Sequence, residues 1–441
     1  MNRIIIAVFC FCSLVLATNV KASNVTIIHA GTLIAEPGKS ALTKQTIIVR
    51  GDVIERIISG FKNAKELGLS DSSISVIDLS KDYVMPGFID SHVHLGINQL
   101  PNLSNYMLTE MTSSRIDRAF SAVNNGKAML SQGFTTVRDL GDTGGNLTFD
   151  VKKAINSGKV SGPRMLTAGS MIVPTGGQMD VWGLREELQK AFDDTIFGIC
   201  DGADDCRQLI REIVKRGADV IKIKNSLGID CDFPGGRDAR FTDEELNVIV
   251  ETAHDLGRKV ASHAICLKGI NAALKAGVDS IEHSSKMNDE TIALFKKFDT
   301  YLVPTLIANV RFQEVMGAPD NNNVKTFPGH LNHLIKHFDD KLAKAIKAKV
   351  KIAFGSDAGW VEHKNAHREF TLLAKAGLTP VEVLKSTTVY SADLLGISDI
   401  AGSIAMGKSA DIVATSQNPL KNASALTHVK FVMARGQVFK D

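Results

Sequence analysis

The stretch Val84-Met85-Pro86-Gly87-Phe88-Ile89-Asp90-Ser91-His92-Val93-His94 opens the part of the chain where short apolar runs begin to alternate with helical patterns. Its first seven residues read as a strand, Val84–Asp90. His92 and His94 follow two apart, and on an extended chain that spacing turns both imidazoles to one side. Two histidines converging at a strand end can share one metal ion. A pair of this kind also occurs as ordinary core or surface residues, so what closes the other strands decides the reading.

Working outward, seven more candidate strands follow: Thr135–Leu140, Arg164–Ala168, Val220–Lys224, Lys259–Ala264, Ser280–Ser284, Tyr301–Thr305 and Lys351–Ser356. Helix-period stretches such as Asp205–Arg216, Thr242–Leu256 and Asp339–Ala348 lie between them. Eight strands alternating with helices favour a closed parallel (β/α)8 TIM barrel over residues 84–397. A doubly wound sheet is the runner-up, but no glycine-rich phosphate fingerprint opens the first unit. Before the barrel, β-branched runs such as Val25–Ile28, Gln45–Val49, Ile54–Ile58 and Ile74–Ile77 are punctuated by Gly31, Gly51 and Gly60. After it, Ile412–Ala414 and Val429–Val432 return to short strands, with Gly402, Gly407 and Gly436 as turns. The expected class is therefore α/β: a TIM barrel with a small β-sandwich domain built from both chain ends, 23–83 and 398–441.

The composition agrees with a large globular chain. Its 441 residues are too many for one ordinary domain, and 44% hydrophobic with 22% charged residues can build a core. Residues 1–22 read as a signal peptide, with Arg3, then an apolar run from Ile4 to Ala17, then small residues at Val20 and Ala22. The run is short for a membrane span, and no cysteine follows it at a lipidation position. Cleavage before Ser23 implies a secreted or periplasmic protein with no membrane attachment. It removes Arg3 and Lys21, so the formal charge falls from +3 to +1. A near-neutral chain carries no electrostatic footprint for nucleic acid or anionic membranes. Cys200, Cys206, Cys231 and Cys266 remain, with three possible pairings. Cys200 and Cys206 flank one acidic loop and are the favoured pair.

The working face of such a barrel is the C-terminal end of its strands. Besides His92 and His94, the strands close in Lys222 and Lys224, in Ser262-His263, in Glu282-His283 and in Gly355-Ser356-Asp357. Four histidines and a carboxylate thus converge on one mouth. Strand periodicity cannot choose between Lys222 and Lys224, since residues two apart face the same way.

These residues resemble the amidohydrolase superfamily, in its Xaa-Pro dipeptidase-like (prolidase-like) branch. The stretch from Val84 to His94 is similar to the family's first-strand signature, and Gly402-Ser403-Ile404 with Gly407-Lys408-Ser409-Ala410-Asp411-Ile412-Val413 to its returning β-segment. Thr135-Thr136-Val137-Arg138-Asp139 and Phe354-Gly355-Ser356-Asp357-Ala358-Gly359 point to the branch acting on dipeptides or N-acyl amino acids. The resemblance implies two divalent metal ions, with zinc expected. His92 and His94 would bind the first, and His263 and His283 the second. It selects Lys222 as a lysine carboxylated by CO2 that bridges the two. Asp357 would touch the first metal and act as the catalytic base. A metal-bridging hydroxide would attack the scissile carbonyl, and Asp357 would pass its proton to the leaving amine.

Two departures bear on the substrate. Related peptidases carry Gly-Gly-His-Gly-Asp where this chain has Gly176-Gly177-Gln178-Met179-Asp180, and Ala-Tyr where it has Ala264-Ile265. Gln178 can still donate a hydrogen bond, and Ile265 cannot through its side chain. Lys224, nearer the mouth, is a candidate for a substrate carboxylate against the plainer reading of a solvated strand-end lysine. His363 and His367, in a loop after the eighth strand, are candidate substrate contacts. His330, His333 and His337 recur at helical spacing and read as a helix face, while His29, His254 and His428 read as structural. The expected partner is a small dipeptide or N-acyl amino acid, and self-association into a homo-oligomer is compatible with the sequence. A lactonase, esterase or cyclic-amide hydrolase with the same metals is one competing reading, and a non-catalytic metal-binding protein is another.

Overall fold

The computed structural model describes residues 24–70, 73–98, 109, 112–141, 147–178, 180, 185–187, 198–226, 241–316 and 340–441. The expected signal peptide, Cys231, and His330, His333 and His337 lie outside the described residues.

The chain begins with β1 (Val25–Leu33), β2 (Leu42–Arg50), β3 (Val53–Ser59) and β4 (Ile74–Pro86). Next come β5 (Phe88–Val93), β6 (Phe134–Asp139), β7 (Arg164–Thr167), β8 (Met171–Val173) and β9 (Gly198–Ile199). They are followed by β10 (Val220–Lys224), β11 (Lys259–Ala264), β12 (Ser280–His283) and β13 (Tyr301–Val303). The last group is β14 (Ile412–Thr415), β15 (Val429–Ala434) and β16 (Gln437–Lys440).

The first and last groups share one mixed sheet of seven strands, ordered β16-β15-β14-β4-β1-β2-β3. Both chain ends meet there, in a single sheet where the sequence suggested the two facing sheets of a sandwich. The sheet bends over on itself. The Ile54 amide donates to the Lys408 carbonyl at 2.9 Å and the Ala410 amide to the Asp52 carbonyl at 2.8 Å. Ile28, Ile47 and Val49 from one side bury in one cluster with Ile412, Phe431 and Met433 from the other. Bending lets apolar positions two apart on each strand cover one another.

The middle group is parallel throughout, in sheets of six strands (β13-β12-β11-β10-β8-β9) and three (β5-β6-β7). β5, β6 and β10 are buried along their whole length, as parallel strands covered on both faces must be. The helix Asp243–Asp255 shows how the sequence sets these layers. The Thr242 hydroxyl accepts the Glu245 amide while the Glu245 carboxylate returns to the Thr242 amide, which starts the helix. Leu246, Ile249, Val250 and Ala253 then bury one stripe against the sheet. The helix Ala203–Arg216 stops at Gly217, whose φ of 114° only glycine adopts without strain.

Two expected strands are corrected. Val84–Asp90 is not one strand: Val84–Pro86 ends β4, and Phe88 opens β5. Pro86 has no N–H to carry a ladder onward. A Cβ on Gly87 would lie 2.2 Å from Thr135 Oγ1, so only glycine lets the chain cross between the sheets there. Lys351–Ser356 forms no ladder. It is held by a bridge from Leu302 to Ile352 and by the Ser91 amide donating to the Phe354 carbonyl at 2.8 Å. A further bridge joins Val93 to Ala358 just beyond it. Cys200 and Cys206 form a disulfide, and Cys266 is disulfide-bonded too. Among the described residues no helix is long and apolar enough to cross a membrane.

Candidate functional site

The end of β5 brings His92 and His94 together. Their Nε2 atoms lie 3.3 Å apart, and Asp357 Oδ1 is 3.4 Å from the first and 3.3 Å from the second. One ligand atom each from His92, His283 and Asp357 falls within 4.8 Å of the other two. The His283 ring stands 5.1 Å from that of His92 and 4.6 Å from that of His263, centre to centre. The four histidines and the carboxylate are all buried.

The outer nitrogens of three of these rings, His92, His94 and His283, are committed. His94 Nδ1 donates to the Gly141 carbonyl at 2.6 Å, so in the neutral ring Nε2 carries the lone pair. His92 Nδ1 lies 2.8 Å from Glu282 Oε2, which fixes the same tautomer. Glu282 is itself anchored, its Oε1 accepting from Arg138 Nη2 at 2.9 Å and from Ser280 Oγ at 2.6 Å. Arg138 Nε donates to the Ser91 carbonyl at 2.6 Å, one residue before His92. His283 Nδ1 pairs with Thr305 Oγ1 at 2.7 Å. Burial, and then the positive charge of Lys222, pushes His92 well below the ordinary histidine range. Burial does the same to His263, and it pushes His283 down to about 3. Neutral rings with inward lone pairs are the form that binds a cation.

Burial alone would raise the Asp357 pKa. Set against it, the nearby His94, His283 and Lys222 hold the carboxyl below its usual value. A buried carboxylate among neutral imidazoles is a donor set suited to divalent cations. Two sealed atoms agree with that fit, for neither His263 Nε2 nor Lys222 Nζ has a hydrogen-bond partner. No carboxylate is bonded to the Lys222 amine. Burial pushes Lys222 down to about 7 and Lys224 to about 8. In register, Lys222 faces Ala261 and Met171, and Lys224 faces His263.

The backbone is strained at the same place. His283 (φ 71°), Ser284 (φ 56°), Thr305 (φ 46°) and Asp357 (φ 58°) are left-handed without being glycine. Each costs about 1 kcal/mol or more, and Thr305 is β-branched, which makes it a true outlier. Gly359 is the permissive neighbour: a Cβ there would lie 2.7 Å from His94 Cβ.

The remaining sequence candidates are placed as follows. Gln178 is half-buried and its Oε1 is sealed without a hydrogen-bond partner. His363 is buried, and its Nε2 donates to the His94 carbonyl at 3.2 Å. Burial pushes its pKa down to about 4. His367 Nδ1 donates to Gln132 Oε1 at 2.8 Å. His29 meets the Lys62 carbonyl and His254 meets Asp279, both away from the cluster. Sequence reasoning assigned no supporting role to Glu282, Arg138, Thr305 or the Gly141 carbonyl. The available signal was a charged residue inside a wholly buried strand, present at both Arg138 and Glu282.

Comparison with known proteins follows this geometry. The model of the amidohydrolase family matches residues 83–439. Ochratoxinase of Aspergillus niger is 29% identical over 450 residues, spanning 97% of this chain and 89% of its own. Its crystal structure superposes with a TM-score of 0.80 at 26% identity, covering 95% of this chain and 96% of that one. A crystal structure of a Xaa-Pro dipeptidase with bound methionine in the active site reaches 0.83 at 33% identity, covering 95% and 100%. A prolidase complexed with N-methylphosphonate-L-proline reaches 0.80 at 26% identity, covering 95% and 100%. With the match running through both the parallel strands and the returning sheet, this chain belongs to the amidohydrolase family and is an enzyme of the hydrolase type.

Proposed function

We propose that this chain is an exported, binuclear metal-dependent hydrolase that cleaves the amide bond of dipeptides, Xaa-Pro or related, or of N-acyl amino acids. The observation that carries this reading is the inward convergence of His92, His94 and Asp357, backed by His283 and His263. The similarity to an Xaa-Pro dipeptidase and to a prolidase bound to a phosphonate-proline compound supports an amide substrate.

The reading includes a closed eight-stranded barrel. Three links support closure: the Asp219 amide donating to the Thr167 carbonyl at 2.9 Å, the Leu302–Ile352 bridge and the Val93–Ala358 bridge. The apolar run of residues 4–17 and the Cys200–Cys206 disulfide support export to an oxidising compartment.

His92, His94, His263, His283 and Asp357 would hold the cations, with zinc favoured by the four imidazoles. Cations bound there supply water activation near neutral pH and polarisation of the scissile carbonyl. Lys222 gives up its proton near pH 7, and a neutral amine is the form that takes up CO2. A carboxylate on its sealed Nζ would replace the unpartnered amine with an anionic group able to face the cations. Glu282 and the Gly141 carbonyl keep the two first-strand rings in one tautomer and one orientation. Asp357, held ionised, accepts the proton of the attacking water at Oδ2, the oxygen not turned to His92 and His94. It then returns that proton to the leaving amine, which departs poorly as an anion.

The test is hydrolysis of a library of dipeptides and N-acyl amino acids by zinc-loaded protein lacking residues 1–22, with Asp357→Asn alongside. Cleavage confined to one class of C-terminal residue, and lost in the variant, supports the proposal. A library left intact by the unmutated protein rejects it.

A further inference from the structure

β10 ends in Lys222-Ile223-Lys224, and residues two apart on a strand face the same way. Lys224 stands one rung nearer the strand ends than Lys222, level with His263. It is 8% exposed where Lys222 is 1% exposed. Among the described residues no hydrogen bond or ion pair holds its ammonium, although its charge bears on Asp357, His263 and His283. Asp357 attracts it without forming an ion pair, and Asp357 Oδ1 is turned to His92 and His94. An ammonium this withdrawn from water without a partner calls for an anion. A docked substrate can bring one.

We propose that Lys224 anchors the free carboxylate of the substrate, so that the enzyme selects N-acyl amino acids and dipeptides over their neutral amides and esters. This rests on the reading of the histidine cluster as a hydrolytic site. In such substrates the carboxylate is one carbon removed from the scissile nitrogen. A scissile carbonyl lying over His263 would leave that carboxylate within a few bonds of Lys224, the β10 residue paired with His263. The neighbouring Ile265 offers no competing donor. Its side chain is apolar, and its amide is already committed to Ser226 Oγ at 2.8 Å.

The test measures binding of N-acetyl-leucine and N-acetyl-leucine amide by calorimetry to the zinc-loaded protein, to Lys224→Met and to Lys224→Arg. Wild type should favour the acid. Lys224→Met should weaken acid binding by about 10- to 100-fold, the range of a charge-assisted hydrogen bond, and leave amide binding and zinc content unchanged. Lys224→Arg should keep most of the preference. With cleavable acids, KM should rise in Lys224→Met while kcat stays within about threefold, since the anchor is remote from the reacting bond. Equal wild-type affinity for acid and amide, a preference that survives in Lys224→Met, or zinc lost from that variant would each overturn the assignment. Acids bound through Lys224 but never hydrolysed would leave the anchor standing and overturn the hydrolytic reading alone.

Discussion

Replacing Glu282 with Gln tests whether the cluster is held by a buried charge relay. Glu282 and Arg138 are 0% and 1% exposed, so their ion pair is scarcely screened by solvent. The carboxylate receives Arg138 and Ser280 on Oε1 and His92 on Oε2. A glutamine has one accepting oxygen and one donating amide. In the same position its amide either faces the Arg138 N–H groups or turns to His92 Nδ1 and drives that ring into the tautomer with a proton on the inward Nε2. Leaving the Arg138 charge unpaired costs about 3–5 kcal/mol, as when one partner of a buried ion pair is removed. Loss of the carboxylate behind His92 should weaken zinc binding by roughly 10- to 100-fold. Urea unfolding of the metal-free protein reads the first quantity, and competition against a chromogenic chelator reads the second. The double variant Arg138→Met with Glu282→Gln removes both charges and should recover most of the stability, but not the zinc affinity. A Glu282→Gln protein within about 1 kcal/mol of wild type and with unchanged zinc affinity would refute the reasoning.

Three further outcomes follow from buried groups. Glu369 is fully buried and accepts the Leu306 and Ile307 amides at 2.9 and 2.8 Å, where the helix Leu306–Met316 begins. Burial pushes its pKa up to about 8 despite those bonds. The folded chain thus keeps a proton that the unfolded chain releases near pH 4.5. Its contribution to stability is full below that pH, is lost as pH rises to about 8 and is level beyond. Urea midpoints of metal-free wild type should fall across that window relative to Glu369→Gln, and parallel curves would count against the assignment. Lys222→Met removes an unpaired sealed amine, so the metal-free protein should gain about 1–3 kcal/mol while zinc content and hydrolysis fall. A destabilised variant would reveal a partner for that amine. Ser284 is left-handed and fully buried with an unpartnered hydroxyl. Ser284→Gly should therefore raise metal-free stability by about 1 kcal/mol after the entropy of glycine is deducted, and a lower melting temperature would argue against strain at that position.

Legibility in the sequence tracked how local each determinant is. β10 and β11 run over the very residues expected, Val220–Lys224 and Lys259–Ala264, because each is a short stretch following a glycine at the end of a helix. The crossing at Gly87 was hidden inside a continuous apolar run, and its cause is the proximity of Thr135, far along the chain. Lys351–Ser356 has the composition of a strand because it is buried like one, but composition reports burial and not ladder bonds. The histidines and Asp357 stood out through spacing and position at strand ends. Glu282 and Arg138 act across 144 residues, and His283 and Thr305 across 22, so their roles exist only after folding. His363 was placed by its loop near the mouth, while the structure turns its ring to the His94 carbonyl. Sequence can put a loop over a site without saying which side of it a ring takes.

Half of the left-handed non-glycine residues among those described fall in one place. Left-handed His283, Ser284, Thr305 and Asp357, the orphaned Lys222 Nζ and His263 Nε2, and the Arg138–Glu282 pair all surround the same cluster. Elsewhere left-handed Lys44, Asp299, Lys349 and Arg435 lie singly at exposed or half-buried positions, and capping boxes at Thr242, Asn288 and Thr379 start helices in the ordinary way. Each departure weakens the metal-free fold, yet each also points a lone pair, a charge or a carboxylate inward. Selection for stability alone would have removed them, since glycine, a neutral side chain or an apolar one is available at most of these positions. Their concentration at the strand ends is therefore a second argument for a functional site there, independent of any resemblance. Bound cations would then return stability in proportion to their affinity, so metal-free protein should be the less stable form and zinc should raise its melting temperature.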